Sequence, residues 1–423
     1  MITLTYEYKL VPTPEQKQTF DKWLEVCRSV WNFALRERKD FARSRKCDIN
    51  ACSIESEYII PADAQRPTYG TQCKALTTAK KEYPQLKIVH SQVLQQVLKQ
   101  LEKAFVSMWE RGFGFPRFKK LGRMRSFLFP QMNANDVSGD MLRLPSIGKV
   151  KMRLSRPIPD GFALKQVRIV KRASGYYAML SLQADVNVPD VLPHGNSIGI
   201  DLGLEKFLAT SEGELIARPK FFVESQRQLK LLQRRLKHKK KRSKNWLKLN
   251  QKIAKGHEQI SNSRKDYHFK VAHYLCDRAG IIFAEDLNAE GLAKGMLSKH
   301  TLDAGFGQFI NILSWVCWKR GVYFQKVNAR GTSQTCPKCG THAPKDLSVR
   351  VHECFVCGYK TDRDIAAAQV ILKRGFETLS AAGLAVEKAA CGGGLSGTEI
   401  FSLDQSLRDR KPKSRGFGIL CIV

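Results

Sequence analysis

Acid is what this sequence is short of. Its 423 residues carry 39 Asp and Glu against 71 Lys and Arg, a formal charge of +32. A compact chain with that imbalance repels itself unless an anionic partner neutralises it, which points to nucleic acid first and a membrane surface second. Long apolar runs are missing as well. No stretch reaches the roughly 18 apolar residues of a transmembrane helix, so no membrane partner of that kind is expected. The opening MITLTYEYKL lacks the apolar centre of a secretory signal. No internal repeat is evident. The 12 cysteines are scattered apart from one group of four, which argues against a disulfide framework. These gaps leave a soluble, intracellular protein, with 43% hydrophobic residues and length for two or three domains.

Alternation predicts a strand over residues 3–10, and TPEQ (13–16) has the form of a helix start, with Thr13 as cap, Pro14 at the first position and Gln16 closing the box. Phe20, Trp23, Leu24, Cys27, Trp31, Ala34 and Leu35 then recur at helical spacing. Residues 48–84 are less periodic, with short helical pieces, and a second helix carries Val93, Val97, Leu101, Phe105 and Met108 on one side. Basic and aromatic residues interleave in RGFGFPRFKKLGRMRSFLF (111–129). Its phenylalanines either close off the preceding helix or stack on bases while Arg117, Lys119 and Lys120 meet phosphates; the charge balance favours the second reading. Residues 141–184 alternate as antiparallel β-structure, and a Pro- and Gly-containing stretch marks a boundary near residue 190. Beyond it, SIGIDLGLEKFLATSEGELI predicts two strands with a turn near Glu212 and Gly213. A long polar helix is predicted from Glu224 to about Ile260, containing QRRLKHKKKRSKNWLK (233–248). Charge runs are usually solvated helix faces. This one is almost purely of one sign, so Arg234, Arg235, Lys239, Lys240, Lys241 and Arg242 are candidates for phosphate contact; a nuclear-import tag is the weaker alternative.

Two C-x2-C knuckles, Cys336/Cys339 and Cys354/Cys357, are each followed by Gly and separated by 14 residues. Four thiolates suit tetrahedral zinc and leave no open position, so such an ion is structural; a redox pair is the alternative. IGIDLG places Asp201 in an apolar strand, and IIFAEDLN ends another on Glu285. A buried carboxylate is costly without a partner. Two of them, on separate strands of a basic protein, suggest a metal site for phosphate chemistry, where Mg²⁺ prefers carboxylate oxygens. A third acid is sought in TDRD (361–364), where either aspartate could instead be a helix cap.

GIDLG, AEDLN, TSQTCPKCG, CFVCG and DRDIAAA, in this order, resemble the TnpB proteins of bacterial insertion sequences, relatives of the type V CRISPR effector nucleases. YKLVPTPEQ and GFPRFKK extend the resemblance over most of the chain. It implies an α/β fold with additional α and β parts: a RuvC-like, RNase H-fold nuclease domain with a zinc ribbon, preceded by a β-barrel wedge with a helical recognition insertion. The implied domains are 1–190 (helical part about 14–125), 191–375 with the ribbon at 331–360, and a disordered basic tail at 376–423. The implied activity is RNA-guided cleavage of double-stranded DNA beside a short flanking motif, in a monomeric ribonucleoprotein of the bacterial cytoplasm and nucleoid. Asp201, Glu285 and Asp364 match the catalytic acids that hold two Mg²⁺ ions. The cysteine quartet matches one structural Zn²⁺, and Arg350 stands where the family often has an arginine near the scissile phosphate. RKDYHFK (264–270) also fits, with a role that could be structural. One departure is Ala366, where the family usually has an asparagine that could orient the acid or cap the helix. A nuclease-inactive, RNA-guided repressor and a strand-transfer transposase are the alternatives.

Overall fold

The computed structural model describes residues 1–45, 60–61, 63–346 and 349–384. They divide between two compact units, with the chain passing from one to the other at Val188 and Pro189.

In the first unit, strand β1 (Ile2–Val11) runs into helix α1 (Pro14–Ser44). The Thr13 hydroxyl accepts from the Gln16 amide, and the Gln16 side chain accepts from the Thr13 amide, so the predicted capping box closes. All seven apolar positions read from the helical spacing are buried. Helices α2 (Tyr69–Glu82) and α3 (Ser91–Arg111) follow, and Gly112 ends α3 at φ +66°, a conformation that glycine adopts without strain. Six strands complete the unit: β2 (Ser126–Phe129), β3 (Val137–Ser138), β4 (Met141–Leu144), β5 (Gly148–Arg153), β6 (Ala163–Arg172) and β7 (Gly175–Ala184). The sheet order is β2-β6-β7-β1-β5-β4-β3, with every pairing antiparallel. β1 pairs with β7 over Ile2–Lys9 and with β5 over Lys9–Val11. β2 and β3 remain as edges, so the expected barrel is an open half-barrel. Trp23 of α1 packs on Phe127 and Phe129 of β2, with ring centroids 5.4 and 5.9 Å apart.

The second unit opens with three strands where two were expected: β8 (Ser197–Leu202), β9 (Lys206–Thr210) and β10 (Leu215–Ala217). The predicted turn at Gly213 (φ +97°) joins β9 to β10. A second turn after Leu202, closed by the Gly203 amide on the Phe207 carbonyl at 3.3 Å, splits the first strand from the next. The single long helix is also two, α4 (Phe221–Lys237) and α5 (Lys244–Arg278). Arg242 takes a left-handed conformation (φ +69°), and the Ser243 hydroxyl caps α5 at the Trp246 amide. Stacked cations cannot pair along one helix, which weakens its continuation there. Strand β11 (Ile281–Glu285), helices α6 (Ser298–Ala304) and α7 (Phe306–Arg320), and strand β12 (Tyr323–Val327) follow. The chain then forms a two-stranded ribbon, β13 (Val351–Glu353) and β14 (Lys360–Asp362), and ends its described part with helix α8 (Arg363–Ala381). Because α8 is apolar on its inner face it runs past residue 375, beyond the expected start of a tail; residues 385–423 lie outside the described part, as does most of 48–62.

The main sheet has the order β10-β9-β8-β11-β12, with β8, β11 and β12 parallel and β9 and β10 antiparallel. One face, bearing Ile198, Ile200, Ile282 and Ala284, is covered by α5 and α7 through Val271, Leu275, Phe309 and Leu313. The other face meets α8, where Phe283 packs with Ile371 and Leu379.

Candidate active site and metal centre

The site begins with strand alternation. Gly199 on β8 pairs in register with Phe283 on β11. Both face α8: a Cβ on Gly199 would stand 2.3 Å from the Ala368 carbonyl oxygen, and one on Gly375 would stand 2.3 Å from the Phe283 ring. Two residues further along each strand, Asp201 and Glu285 therefore share that face. They emerge at the end of the sheet where α8 begins. The glycine in IGIDLG admits a helix backbone, and the run of small residues Ala366–Ala368 is the matching surface, each buried.

TDRD resolves into two roles. Asp362 is the N-cap of α8, its carboxylate accepting from the Asp364 amide at 2.8 Å. Asp364 sits in the first turn and faces the acids on the strands: its Oδ2 would lie 3.7 Å from a Cβ placed on Gly203. Ala366 is 1% exposed and packs in the core, and the cap an asparagine could have supplied is already made by Asp362.

Asp201 is the carboxylate that feels the other two. Burial, then the charges of Glu285 and Asp364, push Asp201 from an ordinary 3.8 up to about 8, against the opposing Arg363 charge and Leu202 amide. Burial also raises Glu285, which the Thr332 hydroxyl and the Arg374 charge hold down. Asp364 is raised by burial and by Asp362, and lowered by Arg363 and Arg350. Carboxylates crowded in this way are suited to a shared cation. They are less tightly drawn together than the cysteines, which form the only group of three or more Cys, His, Asp and Glu side chains compact enough for a single ion among the described residues.

Arg350 enters the same neighbourhood. Its carbonyl accepts from the Arg363 amide at 2.8 Å, and its Nε lies 3.0 Å from Glu205 Oε2, both side chains being more than half exposed. Glu205, Thr332 and Arg374 were not read from the sequence. Thr332 and Arg374 meet Glu285 from 47 and 89 positions away, a separation without a local signal.

The four sulfurs of Cys336, Cys339, Cys354 and Cys357 all lie within 4.8 Å of one another. Each trailing glycine closes its knuckle in a left-handed conformation: Gly340 (φ +78°) donates to the Cys336 carbonyl and Gly358 (φ +67°) to that of Cys354, both at 2.9 Å. This closed, all-sulfur donor set fits a structural Zn²⁺. Of the basic candidates, Arg234 and Arg235 occupy the last turn of α4, and Lys239, Lys240, Lys241 and Arg242 its connection to α5; all six are exposed, with no ion pair to a described residue. Arg117 and Lys120 are exposed, whereas Lys119 is half-buried with Nζ 3.8 Å over the Trp31 ring and belongs to the packing. In RKDYHFK, Arg264 pairs with the buried Asp303 at 3.4 Å and His268 Nε2 bonds the Ala304 carbonyl, so these two residues are structural.

Family models match three parts of the chain: "Probable transposase" at residues 181–296, "Cas12f1-like, TNB domain" at 306–371, and "Helix-turn-helix domain" at 1–47. Residues 2–44 form one strand and one long helix, whatever the last description names. Among curated relatives, "Putative RNA-guided DNA endonuclease InsQ" of Escherichia coli K12 is 30% identical over 89% of this chain and 93% of its own. "Putative RNA-guided DNA endonuclease" of Streptomyces pristinaespiralis is 29% identical over 92% and 91%. In three dimensions the chain resembles the protein of "Cryo-EM structure of the Cas12f1-sgRNA-target DNA complex", with a TM-score of 0.50 at 15% identity, over 85% of this chain and 83% of that one. That likeness concerns the fold, a mixed α/β architecture. No described helix is long and apolar enough to cross a membrane.

Proposed function

This chain belongs to the TnpB family, and on that premise we propose that it is an RNA-guided DNA endonuclease, cutting double-stranded DNA matched to a guide RNA. The observation that carries the reading is the meeting of Asp201, Glu285 and Asp364 at one end of the parallel strands, in a protein of charge +32. The strand order β10-β9-β8-β11-β12, with antiparallel strands on one side and parallel crossovers on the other, supports a RuvC-like, RNase H-fold domain over 191–375. The half-barrel with its helices, residues 1–190, is then the wedge and recognition part, with the helical portion at about 14–125.

The three acids would hold two Mg²⁺ ions, which when bound activate a water and stabilise the leaving oxygen of a phosphodiester. The chain's own part is to fix the carboxylates. Asp201 and Glu285 are held on adjacent strands, and Asp364 by a helix that Asp362 caps. The α8 N-terminus would present its positive dipole end to a phosphate bound beside Asp364. Arg350, more than half exposed and near Asp364, would meet a phosphate oxygen. The cysteine quartet would hold one Zn²⁺, which would fix the ribbon that leads from Arg350. Arg117, Lys120 and the cations between α4 and α5 would contact nucleic-acid backbone. Base pairing would read the target and the protein only a short flanking motif, in a monomeric ribonucleoprotein.

The test starts from the RNA that copurifies with the protein. Sequencing it identifies the guide, and a duplex matching that guide is offered in Mg²⁺ beside an unmatched one. Cleavage of the matched duplex alone is expected; binding without cleavage would overturn the reading in favour of a repressor. Strand transfer in the absence of RNA would favour the transposase that the first family description names.

A further inference from the structure

We infer that Thr332 is the positioning residue for Glu285, the hydroxyl that sets the direction of this carboxylate toward the metal. The inference rests on the nuclease reading above. Of the three acids, Glu285 has the side chain with the most freedom to be restrained. It is the last residue of β11 and the longest of the three side chains, with the most rotatable bonds. Its backbone pairs with Val327 on β12 as that of Asp201 pairs with Ala209 on β9, and Asp364 stands within a helical turn, so what is left to fix at Glu285 is the direction of the side chain.

Thr332 supplies the missing constraint. Its Oγ1 donates to Glu285 Oε1 at 3.0 Å, the only side-chain hydrogen bond to this carboxylate among the described residues. Thr332 is 4% exposed, so water competes poorly for the bond, and its branched side chain has few rotamers. The same hydroxyl lies 3.2 Å from the Ala329 carbonyl. A hydroxyl has one proton, and an ionised carboxylate is the stronger acceptor. With Oε1 engaged, Oε2 is left for a cation.

The position of Thr332 is itself fixed from two directions. It opens a short turn, Thr332–Gln334, entered through Gly331 at φ +73°. The Gln334 carbonyl accepts from the Ala343 amide at 2.7 Å, across the first cysteine knuckle. On the other side Arg374 Nη1 donates to the carbonyls of Asn328 and Arg330, each at 2.8 Å, tying this segment to α8. Thr332 thus joins the cysteine ribbon to the acid site, and the ribbon's fold reaches Glu285 through one hydroxyl.

The experiment compares wild-type full chain with Thr332→Val and Thr332→Ser. Mn²⁺ affinity is read from the electron paramagnetic resonance of the free ion, and the Mg²⁺ dependence of cleavage is read on the guide-loaded complex. Loss of an outer-shell partner typically weakens metal binding by about 10–100-fold, and that loss is expected for Thr332→Val, with one zinc per chain retained. Thr332→Ser keeps the hydroxyl and should stay within about threefold of wild type, well short of that range. Thr332→Val binding Mn²⁺ like the wild type would overturn the inference, and so would Thr332→Ser losing as much as Thr332→Val. If the valine variant loses its zinc or its fold, Thr332→Ala is read in its place with the same expectation. A wild type that binds Mn²⁺ but cuts no matched DNA sinks the nuclease reading, while the Mn²⁺ comparison still decides the role of Thr332.

Discussion

Replacing Asp201 by Asn should stabilise the metal-free protein. The wild-type carboxylate is pushed from 3.8 to about 8, chiefly by burial and then by Glu285 and Asp364. Each pKa step is worth 1.36 kcal/mol, so the ceiling on the cost of ionising Asp201 in the fold is roughly 6 kcal/mol. Relaxation and water entry reduce this to on the order of 2–3 kcal/mol. In a unit of this size each kcal/mol moves the melting temperature by about 2–4 °C, so a rise of about 5–10 °C is expected at pH 8.5. The sign with pH follows from the direction of the shift. A carboxyl whose folded pKa is raised helps the fold below its unfolded pKa, and that help is lost as pH rises through about 8. The wild type therefore weakens between about pH 4 and pH 8 on this account, whereas the amide does not titrate, and the gap between the two narrows toward acid. Differential scanning fluorimetry in buffer free of divalent ions, at several pH values, reads both quantities. Added Mg²⁺ should raise the wild type and leave Asp201→Asn nearly unmoved. A variant no more stable than wild type at pH 8.5, or a gap that does not change with pH, refutes the reasoning.

Asp362→Ala removes the α8 cap and should cost about 0.5–2 kcal/mol. It should also slow cleavage, because Asp364 stands in the turn that the cap fixes; chemical denaturation and a cleavage time course check the two effects. Gly375→Ala puts a Cβ within 2.3 Å of the Phe283 ring and should lower stability by about 1–3 kcal/mol, read by the same denaturation. Cys354→Ser should lose the zinc measured by elemental analysis and destabilise the unit that contains the ribbon. Replacing Lys239, Lys240 and Lys241 by Gln should weaken nucleic-acid binding at every sequence. If all three meet duplex phosphates, the slope of log affinity against log salt falls by about 2.7.

Asp201 and Glu285 were legible because a carboxylate ending an apolar strand is an anomaly within a few residues of itself. Which acid of TDRD faces them was not legible locally: both aspartates suit a helix start, and the choice turns on Glu285 and Asp201, 79 and 163 positions before Asp364. Thr332 and Glu205 carried no signal, since an ordinary threonine and a surface glutamate acquire their roles only when the sheet and ribbon bring them to the acids. The break between α4 and α5 was hidden for another reason. Lys, Arg and His are all permitted in helices, and the run has no Gly or Pro to mark the turn at Arg242. The three-stranded start of the sheet was concealed because LGLEKF keeps its apolar pattern through the turn.

The most direct test of the central claim uses guide-loaded wild type and Asp364→Ala, matched for bound RNA and for occupancy of the same target duplex. In Mg²⁺ the wild type should cut the duplex, and Asp364→Ala should hold it uncut. A duplex cut equally well by both proteins would contradict the assignment of these three acids as the centre of the enzyme.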